Sequence, residues 1–138
     1  MSTAVVYGDI SPNVVDGSSI WLMSITETLS KTCDEVHLQL KMKPDNYRLL
    51  QSVDKIENVV LHLPPDTSSP LNEEAAVPVL ESLVNRVGAD ILVSRGLNLA
   101  HTLSRSSTLA PILWAYITDL PFPITKLSTV SYTHLRAH

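Results

Sequence analysis

Residues able to do chemistry cluster just after the runs that read as strands: Gly8-Asp9 leading into Asp16-Gly17-Ser18-Ser19, then Lys41, Pro64, Ser94-Arg95-Gly96 and Thr118-Asp119. In an open parallel α/β sheet, ligands bind beyond the carboxyl ends of the strands, so these positions would share one rim. Gly17-Ser18-Ser19 stands where a helix begins, and free backbone N–H groups at the positive end of the dipole suit a phosphate or a hydroxyl. A plainer account competes. Gly17 then only permits the turn and Ser18 only caps the helix, and by spacing alone this account is the stronger. Arg95 can grip a phosphate or carboxylate through two parallel hydrogen bonds, or serve as a solvated charge or structural pair. Asp119 can take a proton or hold a substrate hydroxyl, or act as a turn residue before Leu120-Pro121. Asp9 and Asp16 belong to the same rim and can bind hydroxyls, with Asp16 better suited to capping.

Other chemistries lack their residues. No G-x-G-x-x-G fingerprint or phosphate-binding lysine loop occurs, because Gly8 and Gly17 stand too far apart. His37, His62 and His101 fall inside element patterns and read as packed or surface residues rather than bases. No Ser-His-Asp set or metal-ligand cluster can be assembled from spacing, and His134 and His138 have no carboxylate or thiolate beside them. Neither a metal nor a cofactor is therefore expected. Cys33 is the single cysteine, which excludes an internal disulfide, and the adjacent Asp34-Glu35 disfavour a reactive thiolate.

The chain has 138 residues, 44% of them hydrophobic and 17% charged, enough apolar content for a real core. A formal charge of -4, with no Lys/Arg stripe, argues against nucleic-acid binding. The first residues carry no signal-peptide pattern, and no run approaches the length of a membrane span. A cytoplasmic location follows, with peripheral contact at the inner membrane face as an option.

The elements that must hold the rim alternate along the chain. Ala4 to Tyr7 reads as a buried strand. A helix follows from Ser18 to about Lys31, with Trp21, Leu22, Ile25 and Leu29 on one face. Val36 to Leu40 is a second strand, alternating with His37 and Gln39, and a short helix is expected over Asn46 to Val53. Val59-Val60-Leu61 forms a third strand, and Pro64 to Leu71 a polar loop. The next helix carries Ala76, Val77, Leu80, Leu83, Val84 and Val87 and stops at Gly88. Pro78 favours a start near Val77, in whose first turn a proline is harmless. Strands over Asp90 to Val93 and Ile112 to Ile117 flank a helix from Leu97 to Ser104. This alternation predicts a parallel, Rossmann-like sheet with flanking helices and right-handed crossovers.

The run from Val5 to Trp21 (Val-Val-Tyr-Gly-Asp-Ile-Ser-Pro-Asn-Val-Val-Asp-Gly-Ser-Ser-Ile-Trp) resembles the opening of bacterial family-4 glycosyltransferases of the GT-B fold. Asp90-Ile91-Leu92-Val93-Ser94-Arg95-Gly96 and Leu113 to Pro121 are similar to later stretches of that family, so the likeness spans roughly residues 4 to 123. The resemblance implies an incomplete acceptor-side domain over residues 1–123 and a weakly patterned tail over 124–138, of which 131–138 reads as non-native. It implies a retaining transfer from a nucleotide-sugar donor to a hydroxyl of a glycan or lipid-linked acceptor in cell-surface polysaccharide synthesis. Gly17 and Ser18 match the family's donor-facing loop, while Arg95 and Asp119 match positions lining its cleft. Many members carry His-Asp where this chain has Thr118-Asp119, so no histidine role carries over. The C-terminal domain that binds the nucleotide is missing, and the chain alone is expected to be inactive. Two alternatives stay open: a non-catalytic half of a split transferase, and a flavodoxin-like nucleotide-binding or regulatory domain.

Overall fold

The computed structural model describes residues 2–10 and 17–117. Strand β1 (Thr3–Gly8) leads to helix α1 (Gly17–Thr32), β2 (Glu35–Leu40), the short α2 (Gln51–Asp54) and β3 (Val59–His62). Helix α3 (Glu73–Val87), β4 (Ile91–Arg95), α4 (Leu97–Ser104), a 3-10 turn (Ala110–Ile112) and β5 (Leu113–Tyr116) complete the described chain. All strand pairs are parallel, in the order β3-β2-β1-β4-β5. This is the Rossmann order of a doubly wound sheet. A flavodoxin-like sheet would seat its third strand on the other side of the first, so the flavodoxin topology is excluded, while a nucleotide-binding domain remains compatible with the fold.

Right-handed crossovers explain which side each helix takes. The chain moves outward from β1 to β2 and β3 with α1 and α2 on one side. It then returns past β1 and moves the other way with α3 and α4 on the opposite side. Two cores result. Ala4, Val6, Leu38 and Leu40 pack with Leu22, Leu50 and Val53 on the α1 side, whereas Val5, Tyr7 and Leu92 pack with Leu80, Leu83 and Leu103 on the other. Gly8 is required by the first of these. A Cβ there would lie 3.0 Å from Leu22 Cδ2 and 3.3 Å from Leu40 Cδ2, so its absence lets α1 lie close on the sheet.

Several expected boundaries move. Helix α3 begins at Glu73 and not near Val77, with Pro78 in its interior. The start is held by Asn72, whose Oδ1 accepts the Ala75 N–H at 2.7 Å, and by Glu73 and Glu74 at the positive end of the dipole. These gains offset the one N–H that Pro78 withholds. At the other end Gly88 takes the left-handed conformation (φ 67°), as its position predicts. The short second helix covers Gln51–Asp54 rather than Asn46 to Val53, and Ile112 belongs to the 3-10 turn ahead of β5. In α1 the buried line is Ser19, Leu22 and Thr26, while Trp21, Ile25 and Leu29 are half-buried on its flank. No described helix is long and apolar enough to cross a membrane.

Candidate functional site

The order of strands reverses between β1 and β4, and their carboxyl ends open into a cavity of about 310 Å³. Asp9, Glu73, Arg95, Gly96 and the first turn of α4 line it. This is the switch point, where two neighbouring crossovers leave in opposite directions and a crevice must form between them. Sequence reasoning anticipated two of these side chains, Asp9 and Arg95, and the fold brings them to one wall.

Each lining group has a local cause. Gly96 holds φ at 99°, a conformation that suits glycine, and its N–H is donated to the Tyr116 carbonyl at 3.0 Å. It therefore turns the chain from β4 into α4 while tying β5 to the rim. The first N–H of α4 with an intrahelical partner is that of Ala100, donated to the Gly96 carbonyl, and no side chain caps the helix. The N–H groups of Leu97, Asn98 and Leu99 thus begin the helix as open donors at the cavity that Arg95 also lines. Arg95 lies 5.7 Å above the centre of the Trp21 ring, and Trp21 stacks on Tyr116 with centroids 5.5 Å apart. That stack positions the cation from α1 and β5 together.

The acidic groups are equally placed. Asp9 pairs with Lys41, the residue just past β2, at 3.1 Å. Glu73 enters from the first turn of α3 and accepts from the Thr102 hydroxyl at 3.5 Å. Beneath them Tyr7 is buried, and burial, reinforced by the Asp9 and Glu73 carboxylates, holds its phenol above the ordinary range. The cavity is therefore lined by Arg95, by backbone donors and by the acidic residues Asp9 and Glu73. Such a set can bind a phosphate and hydroxyl groups side by side.

The remaining predicted residues are placed less fully. Gly17 opens α1, one turn ahead of the Trp21 on which Arg95 rests, and a Cβ there would meet nothing within 4 Å. Ser18 lies inside the helix, half-buried, and is not its cap. Asp16 and Asp119 lie outside the described residues, as does the tail over 124–138. Sequence reasoning missed Glu73, the Asp9–Lys41 pair and the Trp21 platform. Only Lys41 had carried a signal, its place directly after a strand. Among the described residues no group of three or more His, Cys, Asp or Glu side chains is arranged to hold a metal ion.

Comparisons with protein-family profiles, curated proteins and solved structures return no match for this chain. Fold and site together define a small Rossmann-like α/β domain, an architecture compatible with nucleotide binding.

Proposed function

We propose that this chain is the acceptor-side half of a retaining glycosyltransferase that moves a sugar from a nucleotide-sugar donor to a hydroxyl of a glycan or lipid-linked acceptor. The observation that carries the reading is the convergence of Asp9 and Arg95 on one switch-point cavity beside the open N-terminus of α4. In this reading Arg95 and the α4 N–H groups meet the donor's phosphates, which carry the charge that grows as the nucleotide departs. Asp9 and Glu73 hold sugar or acceptor hydroxyls. Asp16, Gly17 and Ser18 complete the donor-facing lip, and Asp119 is assigned to proton transfer. The family resemblance over residues 4 to 123 supplies the choice of a sugar nucleotide over other nucleotides.

The cavity is one wall of a cleft, because the described charges face the donor from a single side. The purified chain is therefore expected to bind a nucleoside diphosphate or its sugar ester weakly and to transfer no sugar. Titration of uridine diphosphate and its glucose ester, followed by amide chemical shifts, tests this. Shifts should concentrate at Asp9, Gly96, Leu97 and Asn98, and Arg95→Ala should weaken binding by about tenfold through loss of a charge-assisted bond. Shifts clustered elsewhere, or full affinity in the variant, would sink the reading.

A further inference from the structure

A second cavity, of about 500 Å³, opens at the β3 edge of the sheet on the α3 side and shares no lining residue with the switch-point site. Gln39 from β2, His62 from β3, and Ser82 and Arg86 from α3 supply its polar wall. Behind it runs a chain of three titratable groups. Glu35 Oε1 meets His37 Nε2 at very short range, and His37 Nδ1 lies 2.8 Å from His62 Nε2. The ring centroids of the two histidines stand 5.1 Å apart. Nitrogens so close on centroids so far apart must point at one another, so the contact is a hydrogen bond and not a pair of ligands converging on a metal.

One arrangement of protons satisfies the whole chain with both rings neutral. An ionised carboxylate only accepts, so His37 must donate from Nε2, and a neutral His37 presents a lone pair at Nδ1. In that arrangement His62 donates from Nε2 and keeps its own lone pair at Nδ1. That nitrogen has no partner among the described residues. Burial first, and then the neighbouring His37 and Arg86, hold His62 below the ordinary imidazole range and so keep it neutral. Of the residues lining the cavity, only His62 and Arg86 titrate, and Arg86 forms no ion pair with any described residue. The main-chain position of His62 is pinned by Gln39, whose amide donates to the His62 carbonyl at 3.4 Å.

The cavity thus presents a hydrogen-bond acceptor and a fixed cation to the same ligand. A fully deprotonated anion satisfies only the cation. A phosphate that retains one proton satisfies both, and the second ionisation of a phosphate ester falls near pH 6, so this form persists close to neutrality. We infer that the β3-edge cavity binds a singly protonated phosphate group, with Arg86 on its charged oxygens and His62 Nδ1 accepting from its P–OH. The group can arrive as free phosphate or as a phosphomonoester.

The test compares three anions at constant ionic strength and pH near 6, where about half of a phosphate ester keeps its P–OH: inorganic phosphate, O-phosphoserine and sulfate. Binding is followed through the imidazole nitrogen resonances of the intact chain. In the free protein His62 Nδ1 should show the unprotonated shift and Nε2 the protonated one, and the reverse assignment overturns the proposal. Phosphate should bind at least tenfold more tightly than sulfate, which has no proton to give. Equal affinities for the two, or no saturable shift with any of them, also overturn it. Arg86→Gln, an exposed change that leaves the core intact, should weaken phosphate by about tenfold, and unchanged binding counts against the site. O-phosphoserine binding as tightly as phosphate shows that the cavity admits a phosphomonoester, whereas its exclusion with phosphate retained identifies the free ion.

Discussion

In two quarters of the sheet a cavity separates the strands from the neighbouring helix, and the two are built in opposite ways. On the α3 side, β2 and β3 meet the gap with His37, Gln39 and His62, joined to one another, to Glu35 and to the backbone by hydrogen bonds that leave His62 Nδ1 open. On the α1 side, β4 and β5 meet it with Val93, Trp114 and Tyr116, which form an apolar groove of about 370 Å³ against Trp21, Ile25 and Leu29. Trp114 and Tyr116 remain 44% and 41% exposed there. Both gaps have the same origin, since crossovers of one hand place each half-sheet's helices on a single side. The difference lies in the side chains. The first quarter is finished with polar side chains that can meet a polar ligand, whereas the second is apolar throughout.

The contrast can be broken by comparing covered and uncovered positions. Leu38→Ala, in the closed core beneath α1, should lower stability by about 3 kcal/mol, because a fully buried leucine leaves a cavity behind. Trp114→Ala should cost less, about 1–2 kcal/mol, since 44% of that residue is already in water. Urea unfolding measures both, and a Trp114 variant as damaging as the Leu38 one would mean that the groove is covered in solution. A loss smaller than that at Leu38 is also expected at Gly8. Its Ala variant pushes a methyl against Leu22 and Leu40 and should cost about 1–2 kcal/mol of overpacking, a loss seen as a lower urea midpoint.

The polar quarter has a pH signature of its own. His62 titrates lower in the folded chain than in the unfolded one, so the unfolded state binds more protons as the solution is acidified. Its contribution to stability is fully present above the ordinary imidazole pKa. The contribution declines as pH falls below that value and is lost once pH passes the folded pKa. The urea midpoint of the wild type should therefore fall between about pH 6.5 and 5 more steeply than that of His62→Gln, and parallel curves would sever the two histidines' link to folding. Least of all is expected from Thr26→Val beneath α1. The Thr26 hydroxyl is buried with no hydrogen-bond partner, so its replacement should be neutral or stabilise by up to about 1 kcal/mol, as thermal melting can show.

Much of the architecture was legible before any coordinates. Runs such as Ala4-Val5-Val6-Tyr7 and Ile91-Leu92-Val93 are apolar on both faces, and only a sheet covered on both sides tolerates that. Gly88 marked a helix end because a left-handed residue was needed there. The misjudged start of α3 shows the limit of local rules. Pro78 argues against an interior position when taken alone, and it is outweighed by a cap six residues earlier whose strength depends on geometry.

The rim positions divide the same way. Their nearness to strand ends follows from period and alternation, which are properties of the chain, so Asp9 and Arg95 could be named as candidates from sequence. That they share a cavity with Glu73 and the start of α4 depends on the strand order β3-β2-β1-β4-β5, and no local pattern encodes which strands become neighbours. His37 and His62 make the point most sharply. Each taken singly is a packed histidine. Their hydrogen bond exists because the parallel register sets Gln39 opposite His62 and His37 opposite Val60, which brings two distant side chains to one face at adjoining levels. Residue types and spacing determined what each element would be and which of its faces is apolar. Long-range pairing, through the crossovers, decided which charges meet.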